Sequence, residues 1–415
     1  MNPIVYAIPV FFLLMGIEAL VARARGRRVY RIGDAVSSIG LGAVSQVTGV
    51  FSKVMMVGIY VWVYEQGHWL DLSASSVWVW LIGLLIYDFL YYWHHRLGHE
   101  VAVLWAAHVV HHQSEEFNLS TALRQTSSGF LLGWVFYLPM ALLGFPPLVF
   151  VAVGLIDLLY QYWIHTEQVG RLGWFDRVFA SPSNHRVHHG VNDVYLDKNY
   201  GGILIVWDRL FGTFIEEDDK EPVIYGTRAP LRRFDPIWAN LEVYAALAFD
   251  AWHARRWRDK FLVWIKPPGW RPDDVAARFP KPGFDPHARA KYDPPTSPAL
   301  RRYAFVQFAL LMVAGMDFLA RADGMSLGGS GLYAAWLVVS LVALTGLLEN
   351  RRPWWLIETG RLVFAAVLAG WSSAWFGLPL SRVSLALIVM TLGLSLAGAL
   401  VVALRPRAAS TQSFA

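Results

Sequence analysis

Nine long apolar runs constrain this 415-residue chain more than any other feature. They fall at approximately 4–22, 40–64, 77–93, 129–145, 147–164, 303–320, 332–349, 361–379 and 384–404, and most reach the roughly 17–25 residues that a helix needs to cross a bilayer. The chain is also 55% hydrophobic and only 16% charged, against about 25% charged in a soluble domain. The predicted fold is therefore all-α, a polytopic membrane protein. Positive charge follows the first run (Arg23, Arg25, Arg27, Arg28, Arg31) instead of preceding it, so that run is expected to remain as a helix and not to be a cleaved signal peptide.

Lysine and arginine collect on the cytoplasmic side of membrane proteins. Walking along nine spans under this rule puts the N-terminus outside, the arginine cluster inside and the 65–76 loop outside. Residues 129–145 and 147–164 form a hairpin about Pro146 and Pro147. Arg351, Arg352, Arg361, Arg405 and Arg407 then fall inside. The expected location is a bacterial inner membrane with the catalytic face cytoplasmic. The excess of basic over acidic residues, 36 against 31, follows from this topology and from anionic lipid. No nucleic acid is needed as a partner.

The polar chemistry gathers at that inner face. Three clusters, His95-x3-His99, His108-x2-His111-His112 and His185-x2-His188-His189, hold eight of the 13 histidines, and the chain has no cysteine. Residues three and four apart share a helix face, so each cluster can aim two or three imidazoles at one point. Without thiolates, nitrogen and oxygen must do all the binding, and neutral imidazole suits iron, copper, nickel and zinc. Eight ligands exceed the four that one zinc takes. Two metal ions are expected, and iron with nitrogen ligands and open positions is the usual partner of O2 chemistry. His165 is a plausible ninth ligand, whereas His94 points about 100° away from His95. The isolated His68, His253 and His287 read as ordinary hydrogen-bonded residues.

Two acids inside apolar runs run toward the same face. Asp88 precedes His95 by seven residues and returns to within about 20° of it, whereas Asp157 precedes His165 by eight and overshoots by about 80°. Each is a candidate to steady a ligand histidine's other nitrogen, through another helix. Glu115, Glu116, Asn118 and Arg124, just after the second cluster, are candidates for contacts behind the metal or with a lipid headgroup. Caps and surface ion pairs would explain them equally well.

Between about 215 and 302 the chain turns polar and proline-rich. Trp238, Trp252, Trp257 and Trp264 are mixed there with Arg255, Arg256, Arg258 and Lys260, the pattern of helices lying among headgroups. The domain reading is N-terminal transmembrane helices over 1–76, a catalytic region over 77–215, a cytoplasmic cap over 216–302 and C-terminal transmembrane helices over 303–415.

The segments DFLYYWHHRLGH (88–99), WAAHVVHHQSEEFNLSTALRQ (105–125), YQYWIHTE (160–167) and SPSNHRVHHGVNDVYLDKNYGGILIVWDRLFGTF (181–214) resemble the fatty acid hydroxylase/sterol desaturase superfamily. EPVIYGTRAPLRRFDPIWAN (221–240) adds a less specific likeness, and the branch that oxidises ether lipids of the alkylglycerol type is the nearest. The resemblance implies a membrane-embedded oxygenase with two non-haem iron ions and O2. The family's eight histidines would be His95, His99, His108, His111, His112, His185, His188 and His189. It also implies a membrane lipid substrate and an external electron donor, which in the ether-lipid branch is a tetrahydropterin. No haem-binding H-P-G-G segment or convincing nucleotide-binding glycine motif points to a built-in reductase. Hydroxylation of another lipid, or desaturation of a sterol or fatty acyl chain, is the alternative within the superfamily. A histidine-rich metal transporter would set its ligands across the bilayer midplane. A zinc hydrolase would carry H-E-x-x-H, but here His99-Glu100 is followed by Val101, Ala102 and Val103. A bis-histidine haem protein would not need two H-x-x-H-H boxes.

Overall fold

The computed structural model describes residues 4–288 and 290–404, so Arg405 and Arg407 lie outside the described residues. It is mostly helical, as the apolar runs predict. The helices are α1 (Ile4–Ala24), α2 (Ile32–Gln66), α3 (Val77–Glu100), α4 (Ala102–His112), α5 (Leu119–Ala122), α6 (Leu138–Leu143), α7 (Pro147–Trp163) and α8 (Pro182–His188). They continue as α9 (Val206–Phe211), α10 (Pro236–His253), α11 (Trp257–Ile265), α12 (Asp273–Arg278), α13 (Pro298–Arg321), α14 (Leu327–Leu348), α15 (Trp354–Ser372) and α16 (Arg382–Ala403). A small antiparallel hairpin, β1 (Ala374–Trp375) with β2 (Leu378–Pro379), joins the last two helices.

Six helices among the described residues are long and apolar enough to cross a membrane: α1, the Ile32–Ser52 part of α2, α3, α13, α14 and α16. Nine apolar runs predict more, and each shortfall has a local cause. Run 129–145 is interrupted by Gly129, Gly133 and Gly144, and winds through two 3-10 turns into the six-residue α6. Gly144 ends α6 at φ 97°, where a Cβ would lie 1.9 Å from the Leu70 carbonyl oxygen, so only glycine fits. Helix α7 has 17 residues, about 25 Å at 1.5 Å each, short of a hydrocarbon core of about 30 Å. Run 361–379 belongs to a helix that begins earlier, at Trp354, takes Glu358 and Arg361 into it and stops at Ser372.

The largest core joins α2 to the C-terminal helices through Val44, Phe308, Leu311, Tyr333, Leu337 and Leu341. At its centre the Arg361 guanidinium donates to Glu358 (2.6 and 2.7 Å) and to Gln307 Oε1 (3.0 Å), and the Tyr303 hydroxyl donates to Glu358 (2.5 Å). A buried ion pair survives only when its remaining hydrogen-bonding positions are met, and here neighbouring helices meet them. A second core packs Tyr60, Val79, Met140, Phe145 and Val149 between α2, α3, α6 and α7. Large apolar side chains such as Leu81, Leu85, Val313, Val367 and Leu394 stand on the outer surface, as they do where lipid is the solvent.

The polar connections collect at one end of the bundle. Glu116 accepts from Arg31 and from Lys291 (2.7 Å), Tyr292 N–H donates to Glu115 (2.5 Å), and Phe234 N–H donates to Glu349 (2.5 Å). These contacts bring the start of α2, the second histidine box, the polar 216–302 segment and the end of α14 to where α3 delivers His95 and His99. The loop at 67–76 lies at the other end of α3. Helix α10 packs on α4, with Ala102, Ala106, Leu247 and Val263 buried between α4, α10 and α11. Trp252 and Trp257 remain 81% and 75% exposed, free to sit among headgroups.

This geometry sets a topological expectation. The chain has no native thiol, so single cysteines replacing the exposed Asp71 and Lys220 are clean probes. In sealed vesicles an impermeant maleimide should label them from opposite faces; labelling of both from one face contradicts the bundle.

Candidate metal centre

Short-range sequence signals aim the histidines. Val101 is extended (φ −121°, ψ 120°) and serves at once as the last cap of α3 and the first of α4. The two helices therefore turn sharply about one residue, bringing His95 and His99 to face His108 and His112. Ser181 caps α8 by accepting from Asn184 N–H (3.3 Å), and Pro182 supplies a φ already suited to the first turn. His185 and His188, three apart, then share a face, and His189 closes the helix. His165 follows the end of α7 by two residues.

All nine histidines singled out by spacing converge, in two groups. His95, His99, His108, His112 and His188 form one, and His111, His165, His185 and His189 the other; within each, one nitrogen per ring lies within 4.8 Å of all the others. The Nε2 atoms approach closely: His95 to His108 3.1 Å, His108 to His112 3.1 Å, His111 to His165 3.1 Å, His165 to His185 2.9 Å and His185 to His189 3.2 Å. With metal–nitrogen bonds of about 2.1 Å, adjacent ligands of an octahedral ion stand about 3.0 Å apart and those of a tetrahedral ion about 3.4 Å. The observed spacing matches shared coordination.

Protons make the case more firmly. Nδ1 of His95, His111, His165 and His188 faces the carbonyl oxygens of Tyr200 (2.8 Å), Arg124 (2.9 Å), Gln161 (2.7 Å) and Lys198 (2.9 Å). A carbonyl can only accept, so each Nδ1 carries the hydrogen and each neutral ring presents a bare lone pair at Nε2. His111 and His165 thus face each other lone pair to lone pair at 3.1 Å, which is repulsive unless a cation lies between them. Protonating the rings is disfavoured: burial lowers His111 to about 4, and burial, with neighbouring imidazoles second, holds His108, His112, His165, His185, His188 and His189 well below the usual imidazole range. His99 Nε2 and His188 Nε2 are buried without any hydrogen-bond partner among the described residues. These donors fit metal ions.

The supporting atoms are mostly backbone. Asp208 accepts from the N–H groups of Tyr200 and Gly201 (2.7 Å each), and Asp88 from those of Ile203 (2.7 Å) and Leu204 (3.1 Å) and from the Trp207 indole (2.8 Å). Asp88 therefore does not touch a ligand histidine; it anchors the segment whose Tyr200 carbonyl does. Asp157 accepts from Gln161 Nε2 (2.7 Å), and the Gln161 carbonyl holds His165. Gly202 runs between these acids: a Cβ there would lie 2.7 Å from Asp157 Oδ1 and 2.8 Å from Tyr91 Cδ1. Asp197 and Asn199, both in the left-handed region at φ 57°, bracket Lys198 and turn its carbonyl toward His188. Asp197 also stands 3.7 Å from His99 Nδ1.

Of the other sequence candidates, Arg124 supports the site twice. Its carbonyl holds His111, and its buried side chain donates to the Val110 carbonyl (2.7 Å) and Gln113 (3.3 Å). Glu115 and Glu116 tie Arg31, Lys291 and Tyr292 together and belong to neither histidine group. Asn118 caps α5 and donates to the Val29 carbonyl (2.6 Å). His94 stacks on Phe136 outside both groups. His68, His253 and His287 also lie outside them. Tyr200, Lys198, Gly202 and Asp208 carried no recognisable signal, since any residue provides a carbonyl; only Asp208, an acid in an apolar stretch, could have been suspected.

A cavity of about 600 Å³ opens onto His95, His108, His111 and His165. Ile8 and Phe11 of α1, Val47 of α2, Met312 of α13 and Leu337 and Leu341 of α14 line it, so helices from both ends of the chain wall one apolar space leading to the histidines.

The fatty acid hydroxylase family profile matches residues 80–213. The chain is 36% identical over 369 residues to alkylglycerol monooxygenase of Homo sapiens, covering 87% of this chain and 81% of that protein. It is 39% identical over 328 residues to alkylglycerol monooxygenase of Danio rerio, covering 77% and 72%. A shorter likeness, 31% over 159 residues, links it to ornithine lipid hydroxylase OlsE of Rhizobium tropici and spans 36% of this chain and 46% of that protein. No solved structure matches the chain significantly.

Two single substitutions separate the groups. His188→Ala should strip metal from the five-histidine group and His165→Ala from the four-histidine group, each lowering metal per chain by about half in elemental analysis. Gly202→Ala, acting through the Tyr200 carbonyl, should weaken metal binding about 10–100-fold, the usual effect of disturbing the atoms that orient a ligand. Full metal content in all three, with the protein still monodisperse in detergent, contradicts the assignment.

Proposed function

The chain belongs to the fatty acid hydroxylase family, and on that premise we propose that this lipid hydroxylase is a non-haem di-iron monooxygenase that oxidises an ether lipid of the alkylglycerol class with O2. The observation that carries the reading is the division of nine histidines, eight of them buried and His108 half-buried, into groups of five and four. A structural zinc site closes at four ligands. Iron held by five or four of these nitrogens would retain open positions, as O2 chemistry at nitrogen-ligated iron requires. His95, His99, His108, His112 and His188 would hold one ion, and His111, His165, His185 and His189 the other.

Iron held there supplies the binding of O2 and the passage of electrons to it. The chain supplies the rest. Its cavity takes a lipid chain from the bilayer between α1, α2, α13 and α14 and brings one carbon to the histidines, replacing a chance encounter with a held geometry. Its apolar wall keeps water from the reacting carbon. The carbonyl contacts at Nδ1 fix the rings of His95, His111, His165 and His188, two in each group, so that those ligand positions do not rearrange during turnover. The balance is one C–H bond and one O2, with two electrons and two protons, giving C–OH and water. At the carbon beside an ether oxygen, the product is a hemiacetal, which separates into an aldehyde and the free glycerol hydroxyl.

The two electrons come from an external donor, a tetrahydropterin being the first candidate. Residues 77–215 carry the chemistry, 216–302 cap it, and 1–76 with 303–415 hold it in the membrane and wall the lipid cavity. The histidine end faces the cytoplasm, in a bacterial inner membrane as in other membranes that obey the positive-inside rule, because Arg23–Arg31 and Arg351–Arg352 lie at that end.

Ferrous-loaded protein in detergent should incorporate one atom of oxygen-18 from labelled O2 when given 1-O-hexadecylglycerol and a reduced tetrahydropterin, releasing hexadecanal. Label found only in a hydroxylated acyl or sterol product overturns the ether-lipid choice and keeps the oxygenase. Turnover without O2 removes both.

A further inference from the structure

Seven glycines line the lipid cavity, and five of them have a neighbour where a side chain would begin. A Cβ would lie 2.2 Å from the Leu123 carbonyl oxygen at Gly42 and 2.9 Å from the Tyr87 hydroxyl at Gly154, so close packing accounts for glycine there. Gly49 of α2 and Gly315 of α13 differ. Both sit inside long helices, where glycine is destabilising relative to alanine, yet no neighbouring heavy atom lies within 4 Å of either Cβ position. What a side chain would displace at these two places is open cavity.

Their depth gives that space a meaning. Gly42 meets Leu123, whose neighbour Arg124 holds His111 through its carbonyl, so Gly42 marks the level of the histidines on α2. Cavity-lining residues continue along α2 to Met56, fourteen residues farther, or about 21 Å at 1.5 Å per residue. Gly49 lies halfway along that path. Helix α13 starts at the same end of the bundle as α2, since Ile32, Arg301 and Leu348 line one small pocket. Gly315 stands seventeen residues past Pro298, just as Gly49 stands seventeen past Ile32. The two gaps therefore open at a similar depth, on two helices that wall the same cavity. Carbon–carbon bonds of about 1.5 Å at tetrahedral angles advance an extended alkyl chain about 1.25 Å per carbon, so that about 21 Å holds about 16 carbons and the glycine level falls near about the eighth.

We infer that Gly49 and Gly315 are the chain-length gauge of the cavity: the space they leave lets an unbranched alkyl chain of about 16 carbons pass beyond the midpoint, and a side chain at either position would confine the cavity to chains of about eight. The inference rests on the lipid-oxidising reading of the same cavity and adds chain length to it, whatever the headgroup.

Equilibrium binding to the full-length protein, at fixed mole fraction of probe in detergent, tests it without turnover. The probes form two series, 1-O-octylglycerol with 1-O-hexadecylglycerol and octanoate with palmitate. In at least one series the wild type should bind the longer member at least about 10-fold more tightly, because each buried methylene adds to affinity. Gly49→Leu and Gly315→Leu, both better helix formers than the glycine they replace, should each weaken binding of that longer probe by about 10-fold or more and change the shorter by less than about twofold. Gly58→Leu, on the exposed face of α2 outside the cavity, should change neither. Wild-type affinity for the longer probe in either cavity variant, equal losses for the two lengths, or the same shift in Gly58→Leu overturns the inference, as does a wild type that binds no probe. Turnover of 1-O-hexadecylglycerol by the iron-loaded wild type is scored separately. A length shift confined to the fatty acids keeps the gauge and overturns the ether-lipid reading; turnover of the ether lipid with no length shift in the variants does the reverse.

Discussion

Nine imidazoles packed with their ring nitrogens pointed at one another are the constraint on which the rest of the structure depends. Alone, such a cluster is unfavourable: its lone pairs repel and its rings have been taken out of water. The protein resolves the conflict in two steps. Carbonyls of Gln161, Arg124, Lys198 and Tyr200 accept hydrogen bonds from Nδ1–H, so four rings, two in each group, present a bare Nε2 to their neighbours. Cations held between the Nε2 atoms would turn that repulsion into bonding and would couple metal binding to the stability of this end of the molecule. Arg124, Lys198 and Tyr200 lie in irregular backbone and Gln161 in the last turn of α7, because carbonyls inside a helix are already committed to its ladder while those of the last turn are not.

That irregular backbone is expensive inside a membrane protein and is tolerated where it is buried in protein or lines a cavity. The acids in and beside the apolar helices serve this purpose. Asp88 and Asp208 satisfy five donors of the 200–207 stretch between them and so pin the loop that orients His95. The C-terminal helices have a related part. They share a core with α2, their own ion pair of Glu358 and Arg361 is internally matched, and Met312, Leu337 and Leu341 form one wall of the cavity leading to the histidines.

Much of this was legible in the sequence, because ligand spacing and apolar length are local properties. All nine histidines, including His165 outside the three clusters, meet as spacing proposed, and the isolated His68, His253 and His287 do not join them. Their division into five and four was not legible, since His111 and His112 are adjacent yet belong to different groups, a choice made by the roll of α4 against α3 and α8. The roles of Asp88 and Asp157 were legible only in direction, because carbonyls intervene between acid and imidazole. The apolar count also misled at 129–145 and 361–379, where glycines in the first and a matched ion pair at the start of the second make hydropathy a poor guide to helix length.

The claim at the centre of this account is that two ions lie between the Nε2 atoms of the two histidine groups. Diffraction from iron-loaded crystals, recorded on either side of the iron absorption edge, addresses it directly. Two iron peaks are expected, one enclosed by His95, His99, His108, His112 and His188 and the other by His111, His165, His185 and His189. A single peak, or zinc at either position in protein that turns over lipid, would contradict it.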